Sequence, residues 1–230
     1  MKTITSRHNP LLRRIREAIR EHRDEIVIEG PKPVADALAS GWKAIAVLER
    51  DVDVSAEAYD SITETKNPQR VIGLFERPQS SANEILAMRD TIAVALDGVQ
   101  DPGNVGTIVR LAAAFDAAGV LLLPGTADAF GPKAIRASAG AILHVPVART
   151  SLQELLDANV ALVATALHGA SDEPPARGAV LVFGNEGAGV SEEVLRHATP
   201  LSIAMSGRVE SLNVASSAAI LLARSFALRR

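Results

Sequence analysis

Five near-continuous apolar segments constrain the fold of this 230-residue chain more than any other feature. They are TIAVALD (91–97), VLLL (120–123), VALVATA (160–166), VLVF (180–183) and TPLSIA (199–204). Each is short enough to be a strand, and segments with helical character separate them. A strand that is apolar throughout must be covered on both faces. The pattern therefore predicts an α/β domain with a parallel sheet between two layers of helices.

The first 77 residues show a different pattern. Apolar residues recur with a helical period through SRHNPLLRRIREAIREHRDE, and EIVIEG, AIAVLE and VIGLFE are typical of short strands. PKPVADALASG predicts a helix that ends at Gly41. We therefore predict a small α/β domain over 1–77, a polar linker over 78–88 and a second domain over 89–230.

The composition excludes several kinds of chemistry. The chain has no cysteine, so disulfides, thiolate nucleophiles and Cys-based metal sites are excluded. The histidines lack the paired spacing of a zinc site, and we expect no metal. No signal-peptide pattern follows the first charges, and no apolar run reaches the roughly 18 residues of a membrane span. We expect a soluble, cytoplasmic protein.

The net charge of −3 hides a basic N-terminal segment. Residues 1–20 carry six basic side chains and one acidic one, and aromatic residues make up only 3% of the chain. Such an Arg-rich helix is typical of a phosphate contact, with Arg7, Arg13 and Arg14 as candidate RNA ligands. An ordinary solvated helix face explains the same charges. With so few aromatic rings, stacking on single-stranded bases is not expected to carry the binding.

Three polar, Gly-containing loops follow predicted strands, where ligands bind in open parallel sheets. The first is GVQDPGNVGTIVR (98–110). Asn104 is a candidate N-cap for a helix over 105–116. Arg110 interrupts an apolar segment of that helix, and an unpaired buried guanidinium is costly, so we expect a partner for it. A position at the helix edge is the alternative.

The second loop is GNEGAG (184–189), before a helix that Ser191 would cap. Its glycines would let a ligand approach the backbone, and Glu186 could accept a hydrogen bond; a tight turn is the alternative. Its spacing departs from a dinucleotide-binding turn, so a nicotinamide-dependent oxidoreductase is a weak alternative. The third loop, MSGRVESLNV (205–214), precedes an apolar helix that Ser211 or Asn213 would cap.

At these loops the sequence resembles the SpoU/TrmH-type RNA 2′-O-ribose methyltransferases of the SPOUT class. The matches are N-x-G-x-x-x-R at Asn104, Gly106 and Arg110, G-x-E-G-x-G at Gly184, Glu186, Gly187 and Gly189, and S-L-N-V at 211–214. KAIRASAGAILHVPV (133–147) looks like the segment between the first two motifs of the family. Residues 1–77 resemble, more weakly, the ribosomal-protein-like RNA-binding domain of the ribosomal RNA members.

The resemblance implies a C-terminal trefoil knot, S-adenosylmethionine as cofactor, and a homodimer whose active sites combine both subunits. It implies methyl transfer to a ribose 2′-hydroxyl of RNA, with ribosomal RNA favoured and transfer RNA as the alternative. The implied catalytic residues are Arg110, Asn104, Glu186, Ser211 and Asn213. The implied cofactor-binding residues are Thr165, Ala166, Gly184, Glu186, Gly187, Ile203, Met205 and Leu212.

Members of the family are thought to activate the hydroxyl with the arginine that corresponds to Arg110. A guanidinium remains protonated in proteins, so we favour Arg110 as a clamp on a phosphate or on the developing oxyanion. Asn104, Ser211 and Asn213 would orient the ribose and Arg110, and Glu186 would fix its loop. A non-catalytic RNA-binding or ribosome-assembly module is the remaining alternative, although it would not need all five polar residues.

Overall fold

A computed structural model describes residues 3–21, 24–63, 68–167 and 172–230. The chain divides into two units. Residues Met1–Pro78 and Phe130–Ile135 form the first, and Gln79–Ala129 and Arg136–Arg230 form the second.

The first unit contains a three-stranded antiparallel sheet in the order β1-β3-β2. Its elements are α1 (Pro10–Glu21), β1 (Glu25–Glu29), α2 (Pro31–Ala39), β2 (Ala44–Glu49), α3 (Ala56–Asp60) and β3 (Val71–Glu76). All three predicted strands and both predicted helices are present, while α3 was not predicted. Residues 22 and 23 of the predicted first helix lie outside the described residues.

Helix α1 faces the core of the first unit with one apolar stripe. Leu12, Ile15 and Ala18 are buried, and their spacing of three residues keeps them on one side of the helix. They pack in a cluster that includes Leu74 of β3 and the fully buried Tyr59. The charged residues of α1 therefore remain on the side away from this core.

The second unit contains a six-stranded sheet in which every neighbouring pair is parallel. After residue 78 the chain forms α4 (Ala82–Ala87), β4 (Ala93–Asp97), α5 (Pro102–Ala114), β5 (Val120–Leu122), α6 (Pro132–Ser138), β6 (Val147–Arg149), α7 (Leu152–Asp157), β7 (Ala161–Thr165), β8 (Ala179–Gly184), α8 (Glu192–Leu195), β9 (Thr199–Leu201) and α9 (Val214–Ala227). The strand order is β6-β5-β4-β8-β7-β9. The predicted α/β fold with a parallel sheet is confirmed.

Both faces of this sheet are buried, as the continuous apolar strands predict. Ala95 and Val182 face a cluster that Leu155 of α7 and Val194 of α8 also enter. Their strand neighbours Leu96 and Phe183 are buried as well, and α9 packs against β8 and α5. The sheet is therefore a central layer that positions the loops at its edges.

The last strand is shorter than the predicted span 199–204. Strand β9 pairs with β7, and the last pair in the register is Leu201 opposite Thr165. Strand β7 ends at Thr165, and within the described residues no strand continues the ladder beside residues 202–204. The end of β9 is set by its partner and not by its own sequence.

The predicted linker over 78–88 contains helix α4. Ser81 and Glu84 form a capping box, in which each side chain accepts a hydrogen bond from the backbone of the other. Ile85 and Leu86 are buried in the core of the second unit. This part of the segment is therefore a packed helix. Burial of its two apolar side chains is favourable, and a solvated linker would leave them exposed.

Candidate active site

The carboxyl ends of four neighbouring strands lie along one edge of the six-stranded sheet. Asp97 ends β4 opposite Gly184 of β8, and Thr165 ends β7 opposite Leu201 of β9. Since these strands are parallel, the loops that follow them begin at the same edge, where ligands bind in open α/β sheets. All three predicted motif loops are among them.

Helix α5 begins at Pro102, earlier than predicted. Its N-cap is Asp101, whose carboxylate accepts a hydrogen bond from the N–H of Gly103 at 3.0 Å. Proline suits the first helical position because no intrahelical bond needs its missing N–H. The prediction that Asn104 is the N-cap is therefore wrong. Asn104 lies in the first turn of α5, and its side chain is available for contacts outside the helix.

The carboxylate of Glu186 connects the second loop to the first. Its Oε1 accepts hydrogen bonds from Nδ2 of Asn104 at 2.9 Å and from the N–H of Asp101 at 3.3 Å. Its Oε2 accepts from the N–H of Gln100 at 3.3 Å. Partial burial raises the pKa of Glu186, but these hydrogen bonds outweigh burial and lower the pKa below its ordinary value. The carboxylate is therefore ionised at neutral pH.

A second contact extends this connection to the third loop. Asn213 donates from Nδ2 to Oδ1 of Asn104 at 3.2 Å. Its own Oδ1 accepts from the N–H groups of Ala215 and Ser216, so Asn213 rather than Ser211 is the N-cap of α9. Glu186, Asn104 and Asn213 thus form one hydrogen-bonded row that joins three loops. We call it the motif row.

Two of the predicted catalytic residues lie outside the motif row. Ser211 is exposed, two residues before Asn213, and makes no hydrogen bond with a described residue. Arg110 is exposed on α5 and makes no hydrogen bond or ion pair within the described ranges. The expectation that Arg110 is buried is therefore wrong for the single chain, where the residue has the exposed position that sequence analysis gave as the alternative.

The predicted cofactor-binding residues belong to the ends of β7, β8 and β9 or to the loops that follow them. Ala166 donates its N–H to the carbonyl of Leu201 at 2.9 Å and so holds the first residues after β7 beside β9. Large exposed apolar side chains follow these two strands: Leu167, Met205, Val209 and Leu212. Apolar side chains around a few polar groups are typical of small-molecule sites.

Gly184 is required by the turn itself. The backbones of Asn185 and Gly189 pair through two hydrogen bonds of 2.9 Å. This pairing folds the chain back so tightly that a Cβ at Gly184 would overlap the backbone of Gly189 and Val190. The tight turn that sequence analysis left as an alternative therefore explains this glycine without a ligand.

Sequence analysis missed three side chains that hold these loops. Asp97 accepts a hydrogen bond from the N–H of Ser191 at 2.7 Å, Thr126 binds the N–H of Gly98 at 3.0 Å, and Asn185 contacts two loops. Ser191 is the N-cap of α8, as predicted. Asp97 could have been found from the sequence, because it is an acidic residue at the end of an apolar strand. Thr126 could not, because its partner Gly98 is 28 residues away in sequence.

In the first unit, the three candidate RNA ligands differ in their surroundings. Arg14 makes a two-pronged ion pair with Glu25, in which Nε lies 2.8 and 2.9 Å from the two carboxylate oxygens. Arg13 has a weaker contact with Glu17 at 3.6 Å, between two exposed side chains. Arg7 is exposed. The charge of Arg14 is therefore largely compensated, while those of Arg7 and Arg13 face solvent.

The residues that the structure describes contain neither a membrane-spanning helix nor a metal-binding group. None of their helices is long and apolar enough to cross a membrane. No three of their His, Asp or Glu side chains are grouped so that they could hold a metal ion. His22 and His168 lie outside these residues.

The fold and the site define an α/β protein whose candidate ligand site lies at the carboxyl edge of a parallel sheet, between three loops rich in Gly and Asn. Residues 91–223 match the model of the SpoU rRNA Methylase family. The chain therefore belongs to this family, and the resemblance read from the three motifs is confirmed.

Individual relatives agree with this assignment. The chain is 35% identical over 214 residues to the 23S rRNA (guanosine(2553)-2′-O)-methyltransferase RlmP of Bacillus subtilis, with 88% of this chain and 84% of that protein covered. It is 29% identical over 242 residues to the 23S rRNA (uridine(2479)-2′-O)-methyltransferase of Streptomyces viridochromogenes, with 88% and 83% covered. The crystal structure of an AdoMet-bound rRNA methyltransferase from Sinorhizobium meliloti matches with a TM-score of 0.86 and 33% identity, over 97% of both chains.

Proposed function

We propose that this protein transfers a methyl group from S-adenosylmethionine to a ribose 2′-hydroxyl of ribosomal RNA. The observation that carries the proposal is the motif row, because it joins all three family motifs at the ligand-binding edge of the sheet. Relatives named as rRNA methyltransferases align over 88% and 97% of the chain, the first unit included, which favours ribosomal RNA over transfer RNA.

The cofactor would lie against the backbone of the second and third loops. The residues that would hold it are Thr165, Ala166, Gly184, Glu186, Gly187, Ile203, Met205 and Leu212. Their surroundings fit the group: Met205 and Leu212 are 38% and 36% exposed and can cover an adenine ring, while the amides of the turn can meet its polar edge. When bound, the cofactor supplies an electrophilic methyl group on a sulfonium.

The motif row would orient the RNA. Asn104 and Asn213 have amide groups at the entrance of α5 and α9, within reach of one another at 3.2 Å, and Ser211 lies nearby in sequence with an exposed hydroxyl for the ribose. Glu186 would act as a fixed acceptor that holds the first loop. Arg110 would clamp a flanking phosphate or the developing oxyanion, since a guanidinium stays protonated and cannot serve as a base.

The position of Arg110 supports a homodimer. At about 100° per residue, the side chains of Asn104 and Arg110 point about 120° apart around α5 and start about 9 Å apart along its axis. The two groups therefore do not share a face of the helix. In a homodimer, Arg110 of one subunit can meet the loops of the other, which completes a site that the single chain leaves open.

The first unit would supply RNA affinity. We propose that residues 1–77 form a ribosomal-protein-like RNA-binding domain that contacts phosphates through Arg7, Arg13 and Arg14, and that residues 89–230 form the catalytic domain. Arg14 would contribute least, because Glu25 already neutralises it. Ribosomal RNA as substrate implies a location in the cytoplasm.

We also propose that the C-terminal part of the chain is knotted. The proposal rests on the resemblance to the family, and the strand order, in which β8 lies between β4 and β7, is compatible with it. After β9 the chain returns along the edge of the sheet to Asn104, as the contact from Asn213 requires.

The test is methyl transfer to an unmodified large-subunit ribosomal RNA transcript with isotope-labelled S-adenosylmethionine. The expected product carries the label at a position where alkaline hydrolysis no longer cleaves the chain, because a 2′-O-methyl group removes the attacking hydroxyl. Label without resistance to alkali would indicate a base methyltransferase. Transfer to transfer RNA alone would overturn the substrate, and lack of cofactor binding would favour the non-catalytic module.

The role of Arg110 is tested in the same assay with Arg110→Lys, which keeps the charge but loses the two-pronged geometry. We expect turnover to fall while the cofactor Kd from calorimetry stays unchanged. Arg196→Lys is the matched control, since Arg196 is exposed at the C-terminal end of α8 and has no place in the proposed site. Full turnover by the Arg110 variant would refute the clamp.

A further inference from the structure

Asn185 lies between the glycine and the glutamate of the second motif, and its side chain contacts two loops. Its Oδ1 accepts hydrogen bonds from the N–H groups of Gly187 and Ala188, both at 2.9 Å. Its Nδ2 donates to the carbonyl of Gly98 at 2.9 Å. One amide therefore closes the second-motif turn and fastens that turn to the first loop.

Gly98 is the residue through which this contact acts. It follows β4 directly and has φ of +69°, a conformation that side chains rarely adopt. Its N–H donates to Oγ1 of Thr126 at 3.0 Å, and its carbonyl accepts from Asn185. Thr126 is buried and donates its hydroxyl to the carbonyl of Leu96 at 2.7 Å, so this anchor is itself fixed. The chain path from β4 into the first loop is thus held from two sides.

We infer that Asn185 is a positioning residue for methyl transfer, an inference that rests on the proposed function. The oxygen of its amide maintains the turn that Gly184 and Gly187 present to the cofactor. The nitrogen sets the distance between this turn and Gly98, and hence the place of Asn104. Asn185 acts only through these neighbours and does not need to touch the cofactor or the RNA.

Two substitutions separate the two halves of the amide. Asn185→Asp keeps an oxygen for Gly187 and Ala188 but puts a second oxygen against the carbonyl of Gly98. We expect its cofactor Kd to stay within about twofold of wild type and its kcat to fall about tenfold, as for one lost hydrogen bond. Asn185→Ala removes both contacts, so we expect its Kd to rise about tenfold in addition to the fall in kcat.

Thr126→Val provides an independent variant with an intact turn. It removes the acceptor for the N–H of Gly98 at nearly constant volume, so we expect the pattern of Asn185→Asp, with lower kcat and nearly unchanged Kd. Asn83→Asp is the matched control for the added charge, because Asn83 is exposed on α4; its kcat and Kd should equal those of wild type. Urea unfolding of each variant identifies any that fails to fold.

The results distinguish this inference from the proposed function. If wild type neither binds S-adenosylmethionine nor methylates RNA, the proposed function fails. If wild type is active and Asn185→Asp retains full kcat, the proposed function stands and the positioning role is refuted. Equal changes of Kd and kcat in the Asp and Ala variants would also refute it, because the two ends of the amide would then not act separately.

Discussion

The direction of one hydrogen bond in the motif row makes an isosteric substitution at Asn104 informative. In Asn104→Asp, the donor Nδ2 becomes an oxygen that faces Oε1 of Glu186, 2.9 Å away in the wild type. The shape of the side chain is kept and its acceptor for Asn213 remains. Only the polarity of the contact with Glu186 is reversed.

The expected loss of stability can be estimated from this geometry. A hydrogen bond to a charged acceptor contributes about 1.5 kcal/mol. Two unit charges 2.9 Å apart repel by about 1.4 kcal/mol even at the dielectric constant of bulk water. A carboxylate in the first turn of α5 recovers about 0.5 kcal/mol by its interaction with the helix dipole. We therefore expect the free energy of unfolding to fall by about 2 kcal/mol.

The assay is urea unfolding at pH 7, with Asn104→Ala and the double variant Asn104→Asp/Glu186→Gln as comparisons. The alanine variant loses two exposed hydrogen bonds without repulsion, so it should lose less stability than the isosteric variant. In the double variant, the glutamine introduced at position 186 can donate to the new carboxylate, and we expect a favourable coupling energy of about 1.5 kcal/mol. An Asp variant as stable as wild type, or a coupling energy near zero, would refute the donor direction assigned to Asn104.

Three further predictions use other parts of the molecule. Because folding lowers the pKa of Glu186 below its ordinary value of 4.5, its ionised form adds stability above that pH, and this stability is lost as the pH falls through the folded-state value. The free energy of unfolding of wild type, measured in urea, should therefore fall more steeply below about pH 4.5 than that of Glu186→Gln. Parallel pH dependence of the two proteins would contradict the shift in pKa. In RNA-binding titrations against salt, Arg13→Ala should reduce the slope of log Kd by about 1 and Arg14→Ala by much less, because a carboxylate already neutralises Arg14; equal effects would contradict this difference. Gly184→Ala should cost about 1–3 kcal/mol in thermal unfolding because its Cβ would overlap backbone, whereas Gly187→Ala, whose Cβ would meet only Oδ1 of Asn185 at 3.6 Å, should leave stability nearly unchanged; two equally stable variants would mean that the turn is looser than described.

Five of the six strands of the larger sheet were predictable from sequence because their signal is local, whereas β6 was not predicted. A strand that is buried on both faces is apolar at nearly every position. Segments such as 91–97 and 180–183 can therefore be recognised as strands without knowing which strands they pair with. The ends of the strands were not predictable in the same way. Strand β9 ends at Leu201, opposite the last residue of β7, Thr165. The sequence TPLSIA contains no residue that marks this end.

The wrong prediction that Asn104 is the N-cap has a different origin. The first loop contains two residue types that cap helices, Asp101 and Asn104, and the proline after Asp101 favours the earlier start. Asn104 then lies in the first turn and donates to Glu186, a contact 82 residues away that the local pattern does not show. Arg110 was expected to be buried because its sequence neighbours are apolar, but exposure is decided by which side of α5 faces the sheet.

The residues that join the loops also stabilise the elements they belong to. Asn213 caps α9 with its oxygen and reaches Asn104 with its nitrogen, and Asn185 closes its turn with its oxygen and reaches Gly98 with its nitrogen. An amide can do this because it carries an acceptor and two donors on one rigid plane, whereas a carboxylate or a hydroxyl offers less. Because the oxygen of each amide is already bonded within its own turn or helix, the nitrogen has a fixed position from which it contacts the neighbouring loop. An alanine variant of either residue therefore loses both the hydrogen bonds within its own turn or helix and the contact with the neighbouring loop. An Asn→Asp change keeps the acceptor and removes the donor, so it tests the contact between loops alone.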